Sequence, residues 1–176
     1  GAAGMERALV IGGTRFIGRA LVADLLDHDY EVTLLNRGRH ENPFGDAVGH
    51  VAGDRGDRAV LETARERVAP DVVFDCVAFA PAAVEAATEV FEASTYVYIS
   101  STHAYRATGI PKRESTTPLR PCTPDQATDD GSETYGNRKA EGDRVAVAAA
   151  ERGVDARIVR PTATYGPRDY TERLAY

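Results

Sequence analysis

Lys139 is one of only two lysines in a chain with 21 basic residues, so this position reads as one that needs a compact ammonium and not a guanidinium fork. Tyr135 stands four residues earlier, in Thr134-Tyr135-Gly136-Asn137-Arg138-Lys139, and on a helix that spacing puts phenol and amine on one face. An adjacent ammonium favours the phenolate, which suits Tyr135 to act as general base or acid toward a substrate hydroxyl. Upstream, the apolar run Tyr96–Ile99 opens into Ser100-Ser101-Thr102-His103. A small hydroxyl at such a strand end can hydrogen-bond a substrate oxygen beside the tyrosine, and Ser101 is the candidate. Without that neighbour, the two serines would be plain turn residues.

A second constellation lies near the start. Gly12-Gly13-Thr14-Arg15-Phe16-Ile17-Gly18 follows an apolar run and leads into an amphipathic stretch carrying Ile17, Leu21, Leu25 and Leu26. A glycine turn between strand and helix aims backbone N–H groups and the positive end of the helix dipole at one point, which suits a pyrophosphate. Gly12, Thr14, Arg15, Phe16, Ile17 and Gly18 are therefore candidate binders of a dinucleotide, with Gly18 allowing close approach of the helix and Phe16 and Ile17 also expected in the core. Where a second strand ends in Leu35-Asn36-Arg37-Gly38, the acidic residue that would accept the adenosine ribose hydroxyls is missing. Asn36 followed by Arg37, with Arg15 as a second guanidinium, suits a 2′-phosphate, so NADP is favoured and NAD is the alternative. Arg37 and Arg39 could equally be solvated loop charges.

These residues need a scaffold. Short apolar runs alternate with longer amphipathic ones from Arg7 onward, the pattern of βαβ units feeding a parallel sheet. Strands are expected at Arg7–Ile11, Glu31–Leu35, Val48–Val51, Asp71–Asp75, Tyr96–Ser100 and Asp155–Val159, and helices near Ile17–Asp27, Arg58–Arg67, Pro81–Ala93 and Glu133–Arg152. Right-handed crossovers then give an α/β, doubly wound (Rossmann) sheet in the order 3-2-1-4-5-6, with ligand chemistry at the carboxyl ends of its strands. Small residues Gly142, Ala146 and Ala149 continue the Tyr135–Lys139 face and would let that helix lie close on the sheet. Asn36–Ala47 reads as a loop or irregular turn, and Arg106–Ser132, rich in proline, as either an active-site loop or a disordered one, the first being favoured.

At 176 residues, 43% apolar and 27% charged, the chain has the composition of one globular domain. Its net charge of −6 argues against nucleic acid or anionic lipid as partner and leaves a small-molecule substrate, with a homo-oligomer compatible. Cys76 and Cys122 read as free thiols of a reducing compartment, so the cytoplasm is the expected location; no apolar stretch is long enough to span a bilayer. Gly1-Ala2-Ala3-Gly4 before Met5 reads as a cloning remnant. His28, His40, His50 and His103 show no ligand spacing, so no metal is assigned, and His103 alone is near the proposed site. Asp129, Asp130 and Glu133 favour a helix N-terminus, the last two at capping-box spacing.

GGTRFIG at 12–18, YVYISSTHAY at 96–105, YGNRK at 135–139 and VRPTATYGPRD at 159–169 together resemble the extended branch of the short-chain dehydrogenase/reductase superfamily, the NAD-dependent epimerases, dehydratases and reductases, and its GGTRFIG subgroup. The resemblance implies Tyr135 as catalytic acid/base, Lys139 as a ribose-binding residue, Ser101 on the substrate oxygen, Asp54 on adenine, Val77 and Ala78 lining the cofactor, and Pro161 near the nicotinamide. It further implies hydride exchange with a secondary alcohol or ketone carbon, plausibly of a sugar or nucleotide sugar. Three departures stand out. Arg15 replaces the middle glycine, Thr102-His103 replace the Asp-Glu of nucleotide-sugar dehydratases and disfavour 4,6-dehydration, and the chain stops at Tyr176, before the expected seventh strand and substrate lobe. The competing reading is a non-catalytic NAD(P)-binding sensor or scaffold, since the same subgroup resembles chloroplast proteins associated with RNA; the acidic charge and the joint presence of Tyr135, Lys139 and Ser101 weigh against it.

Overall fold

Parallel strands hydrogen-bonded in the order β3-β2-β1-β4-β5-β6 form the centre of the molecule, as the alternation of the sequence predicts. The computed structural model describes residues 5–14, 16–39, 41–100 and 119–160. Within them run β1 (Arg7–Ile11), α1 (Phe16–Asp27), β2 (Glu31–Asn36), β3 (Gly49–Ala52), α2 (Arg58–Val68), β4 (Val72–Asp75), α3 (Pro81–Val90), β5 (Thr95–Ile99), α4 (Pro124–Ala127), α5 (Tyr135–Glu151) and β6 (Ala156–Val159). The order reverses between β1 and β4, where Ile11 pairs with Asp75 on one side and with Leu35 on the other. A ligand crevice belongs at such a switch point.

Both faces of the sheet are covered, which is why its strands read as nearly unbroken apolar runs. Leu9, Ile11, Leu35, Val73, Tyr96 and Tyr98 point to one side, where they pack with Leu61 of α2, Val84 and Ala87 of α3 and Ala146 of α5. The alternate residues Ala8, Val10, Leu34, Phe74, Val97 and Ile99 meet Leu21, Val22 and Leu25 of α1 on the other side. Residues two apart share a face, so the chemistry at the end of each strand is aimed by this alternation.

Several boundaries differ from the sequence expectation for local reasons. β5 begins at Thr95 and ends at Ile99, leaving Ser100 just beyond the strand, and α3 stops at Val90, where the Phe91 N–H closes the last turn on Ala87 O. The capping box expected from Asp130 and Glu133 does not form. Ser132–Thr134 wind as a 3-10 turn, α5 starts only at Tyr135, and its N-cap Thr134 makes no side-chain cap. Thr134 Oγ1 instead donates to the Asp129 carboxylate at 2.6 Å. A capping box does occur at α4, between Thr123 and Gln126, inside the proline-rich stretch read as loop. The 36–47 segment carries one 3-10 turn, Gly45–Ala47.

The small-residue face of α5 explains how closely it lies on β5. A Cβ added at Gly142 would sit 2.3 Å from Tyr98 Oη, nearer than real contacts allow. Alanine at a mid-helix position ordinarily gains about 0.5–1 kcal/mol over glycine. Here Gly142→Ala is expected to lose about 1–3 kcal/mol, the usual cost of overpacking, read as a lower urea midpoint. A midpoint at or above wild type would show that Tyr98 yields.

Candidate active site

The end of α5 nearest the carboxyl edge of the sheet carries a buried ammonium. Lys139 is 1% exposed, and its Nζ donates to Ile99 O at 2.8 Å and to Ala78 O at 3.2 Å, bridging the ends of β5 and β4. It also lies over the Tyr98 ring, 4.2 Å from the centroid, while Tyr98 Oη donates to Lys139 O at 3.1 Å. Burial pulls the Lys139 ammonium down to about 8, against the opposing pull of the Asp75 and Asp143 carboxylates. Burial likewise pushes the Tyr98 phenol far up, so Tyr98 stays neutral.

Tyr135 opens α5 one turn earlier and is half-buried. Its ring lies 6.2 Å from that of Phe79, tilted by 52°, and Phe79 belongs to the loop after β4. The structure thus brings Tyr135, Lys139 and Ala78, all sequence candidates, into one neighbourhood, together with Phe79, which sequence reasoning passed over.

The glycine loop faces the same edge. Gly12 and Gly13 both take positive φ, 97° and 95°, and a Cβ at Gly12 would lie 3.0 Å from Val77 Cγ1, so loop and β4 end are in contact. Gly18 is required more strictly: a Cβ there would stand 2.8 Å from Gly13 Cα, backbone against backbone. The Gly12 N–H is already committed to Leu35 O at 2.9 Å, so Gly12 serves the site by its shape. Ile17 is 41% exposed, which overturns its assignment to the core; the first turn of α1 rests on the loop backbone and not on the sheet. Such a bare, helix-opening loop fits the diphosphate of a dinucleotide.

At the β2 end, Asn36 Oδ1 accepts from Gly38 N at 2.8 Å and hydrogen-bonds His50 Nε2 at 2.7 Å. Arg37 and Asp54 form an ion pair at 3.4 Å, each about half exposed, so the candidate phosphate and adenine contacts sit side by side. Arg15, Ser101 and Pro161, the side chain of Phe16, and Thr102, His40 and His103 lie outside the described residues.

Sequence reasoning missed two buried polar clusters behind these groups. Asp75, fully buried, pairs with Arg55 through Oδ1 and accepts from Tyr96 Oη at 2.6 Å through Oδ2; Arg55 also donates to Ala83 O at 2.9 Å. Asp143 accepts from Ser100 Oγ at 2.5 Å and pairs with Arg160. Burial raises the Asp143 carboxyl while Arg160 and Ser100 pull it back. The only sequence signal for Asp143 is its place one helical turn after Lys139, and for Asp75, a carboxylate ending an apolar strand. Both cysteines are free, and among the described residues no cluster of His, Cys, Asp or Glu could hold a metal and no helix is long and apolar enough to cross a membrane.

The parallel sheet in the order β3-β2-β1-β4-β5-β6, with helices on both faces, defines a Rossmann-type fold. The model of the NAD dependent epimerase/dehydratase family matches residues 8–175, and the chain belongs to that family. Among solved structures it is similar to epimerase Mth375 of Methanothermobacter thermautotrophicus (20% identity, TM-score 0.69, 90% of this chain and 51% of that one). It is similar also to dTDP-glucose 4,6-dehydratase of Bacillus anthracis in complex with NAD (19% identity, TM-score 0.70, 93% and 56%). A third is UDP-glucose 4-epimerase of Brucella ovis in complex with NAD (21% identity, TM-score 0.63, 88% and 50%). The chain spans about half the length of these proteins. No curated protein matches it.

The lowered Lys139 value has a consequence for stability. The folded state gives up this proton near pH 8 and the unfolded chain near its ordinary 10.5, so between those values the unfolded state holds more protons and stability rises with pH. Urea unfolding of wild type and Lys139→Met across that window is expected to show the wild-type advantage growing with pH and level below it. A constant difference would mean the ammonium is not desolvated.

Proposed function

We propose that the chain is the cofactor-binding part of an NAD(P)-dependent oxidoreductase or epimerase that moves a hydride to or from a secondary alcohol or ketone carbon of a sugar or nucleotide sugar. The observation that carries this reading is Lys139, buried against Ala78 O and Ile99 O one helical turn from Tyr135. A dinucleotide would be held by the shape of the Gly12–Gly18 loop, by Val77 and Ala78, and at its adenosine end by Asn36, Arg37 and Asp54, with Arg15, Phe16, Ile17, Thr14 and Pro161 as further contacts. When bound, the nicotinamide accepts or returns hydride. Tyr135 exchanges the hydroxyl proton, Ser101 orients the substrate oxygen, and Lys139 favours the ionised phenol while reaching toward the ribose. The neighbours crystallised with NAD and named for nucleotide sugars support the substrate class. The reading keeps a small-molecule partner, in keeping with a net charge of −6, and a cytoplasmic location, in keeping with two free cysteines.

Tyr135→Phe in the full-length protein should reduce turnover by about 10²–10⁴-fold while cofactor affinity holds, measured by nicotinamide absorbance and by fluorescence titration. Unimpaired turnover would remove Tyr135 from the mechanism. Cofactor choice is a separate matter: Arg37 beside an uncharged Asn36 favours NADP. Calorimetric titration should give tighter binding of NADP than NAD, reversed or levelled by Arg37→Ala; equal affinities in wild type would rule the assignment out.

A further inference from the structure

Arg138 sits between Tyr135 and Lys139 in sequence and is 5% exposed. Its Nη1 donates to Phe79 O at 2.7 Å, its Nη2 to Gly131 O at 2.6 Å and its Nε to Thr134 Oγ1 at 3.3 Å. All three partners are neutral. Arg55 and Arg160 bury their charge against Asp75 and Asp143, whereas no carboxylate among the described residues forms an ion pair with Arg138. The carboxylate that Arg138 does act on, Asp129, is exposed, so carbonyl dipoles and a solvent-screened charge offset only part of the cost of burying the guanidinium.

A further group is placed to offset this charge from the buried side. The guanidinium carbon lies over the Tyr135 ring, 6.0 Å from its centroid, within cation–π reach. Ionisation of the phenol spreads negative charge into that ring, so a cation over its face favours the phenolate more than the phenol. We propose that Arg138 is a second cation for Tyr135, acting beside Lys139, and that ionised Tyr135 is the counter-charge of this buried guanidinium. The inference rests on the reading of Tyr135 as acid/base. Ionisation releases the phenolic proton to solvent, or to a substrate oxygen in the reductive direction, with no other bond changed.

Among the described residues, other charged and titratable groups stand around the pair. Lys139 follows on α5, neutral Tyr98 faces them from β5, and Cys122 lies in the segment before α4, near enough for Arg138 to act on its thiol. Asp129, before α5, is exposed; its carboxylate accepts from Thr134 Oγ1 and is held low in part by Arg138 across solvent. The Phe79 loop brings an uncharged ring.

The test needs no substrate and can be made on this chain. Near-ultraviolet absorbance of phenolate is titrated against pH in wild type and Tyr135→Phe, and the difference isolates Tyr135 from the other seven of the 8 tyrosines. The same difference is taken in Arg138→Met and Arg138→Gln backgrounds, and in Arg138→Lys, which keeps the charge. The Tyr135 midpoint is expected to rise by about one pH unit, a tenfold change in the phenol-to-phenolate ratio, in the Met and Gln variants, and by less in the Lys variant. Gln preserves hydrogen bonding to the carbonyls and carries the test should Met fail to fold. Midpoints that coincide with wild type in the neutral variants overturn the proposal, as does a Lys variant shifted as far as Gln. If Tyr135→Phe abolishes turnover yet the midpoint is unmoved, only this inference falls; if Tyr135→Phe retains full turnover, the acid/base reading falls with it.

Discussion

A desolvated ammonium dictates much of the arrangement. Lys139 Nζ is received by two backbone carbonyls, Ala78 O and Ile99 O, which belong to neighbouring strand ends, so the amine can be satisfied only where α5 crosses the boundary of β4 and β5. That crossing demands near contact between helix and sheet. Gly142 supplies it by leaving room for Tyr98, whose hydroxyl then holds the Lys139 carbonyl and whose ring lies beneath the ammonium. Once Lys139 is fixed, helical geometry leaves Tyr135 no choice of side: it must emerge one turn earlier, beside Phe79 of the loop after β4.

Two buried ion pairs brace the strand ends around that point. Arg55–Asp75–Tyr96 ties the loop after β3 to β4 and β5, and Ser100–Asp143–Arg160 ties β5, α5 and β6. Pairs of this kind are poor sources of net stability, because desolvating both charges offsets most of their attraction. Their effect is geometric. Directional bonds in a dry interior leave fewer ways to place Cys76–Phe79 or the residue after Ile99 than apolar packing would. The same carboxylates oppose the desolvation of Lys139, keeping it a cation close to neutral pH. Fold and site chemistry therefore draw on one set of buried charges.

The sheet was legible because its grammar is local. Apolar runs at Arg7–Ile11, Glu31–Leu35 and Tyr96–Ile99 need only the period of two and flanking turn residues to be recognised, and crossover handedness then orders them. Tyr135 and Lys139 were legible for a similar reason, since four residues on a helix share a face whatever surrounds them. Arg55 and Asp75 were not. They are 20 positions apart, and nothing in either neighbourhood announces that a loop arginine folds under a strand to meet a buried carboxylate. Arg138 was hidden differently: it looked like one more arginine among many, and only its burial distinguishes it. Ile17 misled because amphipathic spacing continues into the first turn of α1, where the sheet no longer lies beneath it.

The adenosine end follows another logic. Asn36 spends its side-chain oxygen on Gly38 N and His50, shaping the turn after β2, with Arg37 and Asp54 beside it. These two are paired with each other at 3.4 Å with about half of each side chain in water. An exposed pair of that kind contributes about 0–1 kcal/mol, so separating it costs little. A 2′-phosphate would draw Arg37 away and push Asp54 back. The strand-end residue that settles the choice between the two nicotinamide cofactors in many dinucleotide sites is here a structural amide, next to a pair that costs little to divide.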